Sequence, residues 1–143
     1  MNAKEYLLEF GRINAKIESL SDAVRRIKDL EDRITVDPTK ERVESTGTTD
    51  RVGKLAAEIA DKEDEIAEQI SNGWTVLSDI NSTLQAMDYI QGEQVLRLRY
   101  IQLLKPGEIC ERLNISRATE GRYHQRGLMV VQKILDKRQI DTK

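Results

Sequence analysis

Apolar residues recur at heptad spacing near the amino-terminal end, and this pattern constrains the fold more than any other feature of the chain. From Tyr6 to Ile27 the steps between apolar positions alternate between four and three residues. An average step of about 3.5 residues keeps an apolar seam facing a partner helix. The seam consists of Tyr6, Phe10, Ile13, Ile17, Leu20, Val24, Ile27 and Ile34. The spacing therefore predicts a long helix packed against a second helix.

A second apolar stripe with heptad-like spacing follows in the sequence. It consists of Val52, Leu55, Ile59, Ile66, Ile70, Leu77, Ile80, Leu84 and Met87. The intervening residues, 35–50, contain Pro38, Gly47 and several Ser, Thr and Asp residues, which is typical of a loop. We expect part of this loop to be mobile because it has almost no apolar content. Together the stripes predict an antiparallel, coiled-coil-like helical hairpin over residues 1–88.

The overall composition also favours helices. Charged residues make up 34% of the chain and aromatic residues 4%, with only two prolines, which is typical of long solvated helices. No run of residues shows the clean alternation of apolar and polar side chains that indicates a strand. The predicted fold class is therefore all-α.

Residues 93–128 show the pattern of a helix followed by a helix-turn-helix. Ile109 and Leu113 lie one helical turn apart, and Tyr123 is expected on the inward face of the next helix. Asn114 suits a left-handed turn conformation, and Ser116 can cap a helix that begins directly after it. The sequence therefore predicts a helix-turn-helix domain over residues 89–143.

The polar residues at the start of the last helix are suited to contact DNA. Hydroxyl, guanidinium, imidazole and amide groups can donate hydrogen bonds to phosphates and to base edges in the major groove. The candidate DNA-binding residues are the capping Ser116 and six residues expected to face outward from the helix: Arg117, Thr119, Arg122, His124, Gln125 and Arg126.

Charge is distributed unevenly between the two predicted segments. Residues 1–88 carry 12 Lys or Arg and 19 Asp or Glu, a net charge of −7, whereas residues 89–143 carry 11 and 6, a net charge of +5. A basic segment is expected where the chain meets a polyanion, and an acidic segment where it stays away from one. The alternative is that these charges only solvate the faces of long helices.

The carboxy-terminal segment resembles a known family. VLRLRYI at 95–101, GEICERLNISRAT at 107–119 and RYHQRGL at 122–128 are similar to region 4 of sigma-70-type factors. The chain is most similar to phage and prophage regulators of the ArpU and RinA kind. The resemblance implies binding of promoter DNA, contact with RNA polymerase and regulation of transcription. It also implies that Arg117, Thr119, Arg122 and Arg126 face the DNA.

The chain departs from that pattern at several positions. Glu120 replaces the usual buried Val or Ile, so its carboxylate must reach solvent, pair with a cation such as Arg117 or His124, or carry a desolvation cost. Gly121 and Gly127 weaken the helix, although glycine also permits a close approach of backbone to DNA.

Several classes of function are not expected from this sequence. The single cysteine excludes an intramolecular disulfide, and His124, the only histidine, has no accompanying set of metal ligands. No nucleophile motif or glycine-rich phosphate loop occurs, so we expect neither an enzyme nor a cofactor. No apolar run of about 18 residues and no signal-peptide pattern is found, so we expect a cytoplasmic protein without a membrane segment.

The leading hypothesis is a DNA-binding transcriptional regulator of phage or prophage genes, with double-stranded DNA and RNA polymerase as partners. The apolar seams predict a homodimer or higher oligomer through the hairpin, unless the two seams satisfy each other. One alternative is a DNA-packaging protein like a small terminase subunit. Another is a protein-interaction adaptor that does not bind DNA. Trp74 is expected to fill part of the core, since it lies in the acidic segment.

Overall fold

The computed structural model describes residues 2–35 and 45–141. Every regular element in these ranges is a helix, which confirms the predicted all-α class. The elements are α1 (Ala3–Thr35), α2 (Ser45–Gln85), α3 (Ile90–Leu96), one turn of π-helix (Arg97–Ile101), α4 (Pro106–Leu113) and α5 (Arg117–Asp141).

The predicted loop is shorter at its carboxy-terminal end than expected. The Ser, Thr and Gly content of residues 45–50 predicts that they belong to the loop, but they form the first turns of α2. That part of the prediction is wrong, because low helix propensity is a weak preference that a continuous helix overrides. The rest of the predicted mobile loop, residues 36–44, lies outside the described residues.

Contacts divide the chain into two compact units. The first unit combines Met1–Ile13 with Gly73–Lys143, and the second unit is Asn14–Asn72. This grouping follows contacts between residues, whereas the boundary predicted between residues 88 and 89 followed charge and helix pattern. That boundary, and the hairpin as a whole, stay predictions.

The core of the first unit joins both ends of the chain. Its buried members are Ala3, Leu7, Ile80, Leu84, Met87, Leu96, Tyr100 and Val131. The backbone N–H of Ala3 donates a 2.8 Å hydrogen bond to Oε1 of Gln132 on α5. Within this unit α1 and α2 are antiparallel, since the Tyr6 hydroxyl lies 2.8 Å from the Thr83 hydroxyl and the later residue Ile13 lies against the earlier residue Gly73. The start of α1 thus supports the inner side of α5.

Trp74 does not fill the core of this unit. Its side chain is 68% exposed, while its neighbour Gly73 is buried against Ile13. The expectation for Trp74 is therefore wrong. The close approach of α1 to α2 takes place at Gly73. The next residue, Trp74, lies about 100° around the helix, so its indole is directed to solvent.

The second unit has a smaller apolar core. Val24 and Ile27 of α1 pack with Ile59 of α2, and Leu55 and Ile66 lie against them. Two ion pairs on the surface accompany this core, Lys16 with Glu65 at 3.8 Å and Lys28 with Glu63 at 3.4 Å. Because all four side chains are about half exposed, each pair contributes little, roughly 0–1 kcal/mol.

Candidate nucleic-acid interface

The short helix α4 and the long helix α5 pack on α3 and the π-helical turn through a separate apolar cluster. Ile109 and Val95 are completely buried in it, and Leu98 is nearly so. Leu113 and Tyr123 pack against this cluster from α4 and α5. The inward position predicted for Tyr123 is confirmed. The cluster holds α4 and the first turns of α5 in a defined orientation.

The turn between α4 and α5 has the geometry that its residues predict. Asn114 adopts the left-handed conformation, with φ 55° and ψ 52°. The N–H of Ile115 donates to the carbonyl oxygen of Cys110 at 3.0 Å, which closes the end of α4. Ser116 Oγ accepts the N–H of Thr119 at 3.1 Å, so the predicted N-cap is confirmed. A sharp turn and a capped helix start therefore fix where α5 begins.

Four of the candidate DNA-binding side chains on α5 are exposed: Arg117, Arg122, Gln125 and Arg126. Thr119 is half-buried, and its hydroxyl accepts a hydrogen bond from Arg122 Nη2 at 3.2 Å. Because a helix turns by about 100° per residue, Thr119, Arg122 and Arg126 share one face of α5. Arg117 lies about 140° around the helix from Arg122 by the same geometry.

Ser116 is exposed as well, but its hydroxyl already has two partners. Besides accepting the Thr119 N–H, it donates to Thr119 Oγ1 at 2.9 Å. Its observed role is therefore to cap α5, and this bond also orients the Thr119 side chain beside Arg122.

His124 does not face outward, so this part of the predicted surface is wrong. Its side chain is 6% exposed, and its Nε2 lies 2.7 Å from the hydroxyl of Tyr100. The two rings also stack, with centroids 5.8 Å apart. Burial, together with the positive charges of Arg99 and Lys4, lowers the pKa of His124 to about 4. At neutral pH the imidazole is thus an uncharged core group. It can accept the Tyr100 proton in a hydrogen bond.

Glu120 finds a partner that the sequence did not indicate. The carboxylate is 4% exposed and lies 3.5 Å from Nη1 of Arg99, which comes from the π-helical turn. The cations named from the sequence, Arg117 and His124, do not form this pair. The Arg99 guanidinium also lies 5.9 Å from the centroid of the Tyr100 ring. Arg99 and Tyr100 therefore meet Glu120 and His124 in one buried polar cluster that ties the π-helical turn to α5.

The two glycines of α5 occupy different surroundings. Gly127 is buried against α3, where an added Cβ would lie 3.3 Å from the Cα of Gly92 and 3.2 Å from Leu96 Cδ1. Gly121 has nothing within 4 Å of such a Cβ. The close approach that Gly127 permits is therefore to another helix and not to DNA.

A stripe of four cations runs along the exposed side of α5, and only its first half was predicted. Arg122, Arg126, Lys133 and Lys137 are all exposed. At about 100° per residue they lie within a sector of about 60°, so we call them the basic stripe. The spacing of Lys133 and Lys137 was visible in the sequence. These two lysines lie beyond the first turns of α5, to which the predicted DNA-binding residues are confined.

Two aromatic side chains lie beside the basic stripe. The Arg126 guanidinium sits over the ring of Tyr89, 4.9 Å from its centroid, and the Tyr123 ring meets Tyr89 edge-on at 6.2 Å. A cavity of about 630 Å³, which we call the tyrosine groove, is lined here by Tyr89, Tyr123, Arg126, Lys133 and Lys137 among others. A neighbouring cavity of about 600 Å³ shares the two tyrosines and Arg126 and adds Arg122 and Met129. No sequence signal marked Tyr89, since its partners are distant in the chain.

Within residues 2–35 and 45–141, no group of three or more His, Cys, Asp or Glu side chains is arranged to hold a metal ion. None of the helices in the described part of the chain is long and apolar enough to cross a membrane.

Comparison of the chain with protein-family models, with curated proteins and with solved structures finds no match.

Proposed function

We propose that this protein is a DNA-binding transcriptional regulator whose helix α5 enters the major groove. The observation that carries the proposal is the exposed face of α5 bearing Thr119, Arg122 and Arg126. The opposite face of the same helix is anchored through Glu120 and His124. A rigid helix that presents guanidinium and hydroxyl groups to solvent suits hydrogen bonding to base edges.

The charged side chains divide into two roles under this proposal. Arg122 and Arg126 donate to base edges, most favourably to the O6 and N7 atoms of guanine, and supply sequence discrimination. Arg117 lies on another side of the helix and contacts phosphates, as Gln125 does from the rim of the neighbouring cavity. Phosphate contacts supply most of the affinity and make it dependent on salt. His124 has no part in DNA contact.

Binding of labelled duplexes by the full chain tests this function. Sites are first selected from random DNA, and affinity for a selected and a random duplex is then measured by fluorescence anisotropy across a salt series. We expect Arg122→Ala to weaken binding to the selected duplex by about 1–3 kcal/mol, and binding to the random duplex less. Lys54→Gln is the control, since Lys54 is an exposed cation of α2 and not of the helix that carries the proposed interface. If the wild-type protein binds no duplex at low ionic strength, the proposal fails.

The resemblance to the ArpU and RinA regulators extends the proposal to phage or prophage promoters, with RNA polymerase as a partner. A regulator of this kind acts in the cytoplasm, where the DNA is. Co-purification of polymerase with the tagged full chain, in the presence of nuclease, tests the polymerase contact without the contribution of shared DNA. Recovery of no polymerase subunit under these conditions counts against it.

A second copy of the chain is proposed as a further partner. In the second unit, Leu30 of α1 is 49% exposed, and Ile70, a member of the second apolar stripe, is 44% exposed, so apolar side chains of both helices remain open to solvent. Covering such residues in a symmetric dimer would pair two DNA-binding helices on a palindromic site. Size-exclusion chromatography with light scattering measures the mass directly. A strict monomer at high micromolar concentration removes the dimer from the proposal.

A further inference from the structure

We infer that the tyrosine groove and the second half of the basic stripe bind the phosphate backbone of duplex DNA beside the site read by Arg122. This inference rests on the proposed function. It assigns a binding role to Lys133 and Lys137, which lie outside the predicted recognition segment. It also makes the DNA surface continuous along most of α5.

The first argument is the length of the basic stripe. Arg122 and Lys137 are separated by about 22 Å along the axis of α5, at about 1.5 Å per residue. The major groove is about 12 Å wide. When the start of a helix that crosses the groove meets the bases, a cation about 22 Å further along the helix lies at or beyond the edge of the groove. The phosphates of a DNA strand line that edge.

The second argument is charge. The lining of the tyrosine groove contains three cations, Arg126, Lys133 and Lys137, and the Asp88 carboxylate is the single opposing charge among its described residues. None of the three cations forms an ion pair with a carboxylate in the described part of the chain. Within residues 2–35 and 45–141, no ion pair therefore neutralises the positive charge of these three side chains. It is available to an anionic strand.

The third argument is the form and position of the groove. Tyr123 and Val130 lie along the lining with Ile134, and the stems of Lys133 and Lys137 can lie on this apolar surface while their ammonium groups reach outward. The cavity that holds Arg122 shares Tyr89, Tyr123 and Arg126 with the tyrosine groove. A strand that leaves the base-reading residues therefore passes directly over the groove. This continuity favours DNA over an acidic protein segment as the occupant.

The test compares salt dependence in a charge-neutral variant and in a matched control. The full chain carrying Lys133→Gln and Lys137→Gln is measured on a selected and a random duplex across a salt series. Each lost phosphate contact reduces the slope of log K against log salt by about 0.9, so we expect a reduction of about 1.8. We also expect affinity to fall by the same factor on both duplexes, because phosphates carry no sequence information.

Two further variants keep the result interpretable. The variant with Arg51→Gln and Lys54→Gln removes two exposed cations of α2. Its net charge changes by the same amount as in the Lys133/Lys137 glutamine variant, and it is expected to leave the slope unchanged. Lys133→Arg with Lys137→Arg retains both charges and is expected to restore it. If the wild-type protein binds DNA but the Lys133/Lys137 glutamine variant keeps the wild-type slope, the inference is overturned while the proposed function stands. If the wild-type protein binds no duplex, the proposed function itself fails.

Discussion

The Tyr100 hydroxyl and Nε2 of His124 lie 2.7 Å apart inside the first unit, joining the π-helical turn to the middle of α5. Beside them Arg99 pairs with Glu120, so two polar contacts connect the same two elements. Both residues of α5 lie on the side of the helix opposite Arg122. The orientation of the exposed face therefore depends on polar contacts buried behind it.

This arrangement predicts a loss of stability in mild acid. The pKa of His124 is about 4 in the folded protein and about 6.5 in an unfolded chain, so the unfolded chain binds a proton first as the pH falls. The stabilisation that the uncharged His124 contributes is complete above pH 6.5 and is lost between pH 6.5 and pH 4, with a total of roughly 3 kcal/mol. Urea unfolding at pH 7 and pH 5 measures the part of this loss that occurs above pH 5. His124→Gln should lose less stability than the wild type over the same interval, and equal losses would contradict the assignment.

The contact between α3 and α5 predicts opposite effects for two glycine substitutions. An alanine Cβ at Gly92 would lie 3.0 Å from the Cα of Gly127, a backbone atom that cannot move aside. We expect Gly92→Ala to destabilise the protein by about 1–3 kcal/mol. Gly121→Ala is the matched control, because its Cβ meets nothing within 4 Å and alanine favours helix by up to about 1 kcal/mol. Denaturant unfolding of both variants measures the difference, and equal changes would refute the packing explanation.

The cap at the start of α5 predicts a stability cost for one hydroxyl group. Ser116→Ala removes the acceptor of the Thr119 N–H and should cost about 1 kcal/mol. Ser116→Asn retains a side-chain oxygen and should recover most of this loss. Ser78→Ala, on an exposed position inside α2, is the control for loss of a serine hydroxyl. Thermal or urea unfolding measures the stability of all three variants. A Ser116→Ala protein as stable as the wild type would show that the cap contributes nothing.

The ring of Tyr89 is predicted to position Arg126 for DNA contact. A guanidinium 4.9 Å from an aromatic centroid gains about 0.5–1 kcal/mol at an exposed site, equivalent to a two- to fivefold change in affinity. Tyr89→Leu should lose this amount of DNA affinity, whereas Tyr89→Phe keeps the ring and should retain it. A double-mutant cycle with Arg126→Gln separates the shared contribution. Independent, additive losses in that cycle would mean that the ring does not act through Arg126.

Local features of the fold could be predicted because their causes are local. Heptad spacing in α1 and α2 reflects helix geometry, and the Asn114 turn and the Ser116 cap each involve residues within a few positions. The inward position of Tyr123 follows from the same periodicity. The start of α2 could not be predicted in this way. Residues 45–50 include weak helix formers, and they are helical because the helix continues from them to Gln85.

Part of the candidate site could be predicted in the same manner. Arg122 and Arg126 are exposed on one face of α5 as their spacing indicates, and Lys133 and Lys137 continue that face. Tyr89 could not be assigned to the site from sequence, since its contact with Arg126 exists only when α3 packs on α5. Helical spacing states which residues share a face, but not which neighbours that face meets.

The sequence alone determines the helical class, the turn before α5 and the series of cations along that helix. Each of these depends on residues that are close together in the chain. The inward side of α5 was decided only by tertiary packing. His124 and Glu120 are polar, and polarity by itself predicts exposure. They are buried because Tyr100 and Arg99, on a different element, satisfy their hydrogen bonds and charge. Burial of a polar group depends on a partner, and the partner is supplied by the folded chain.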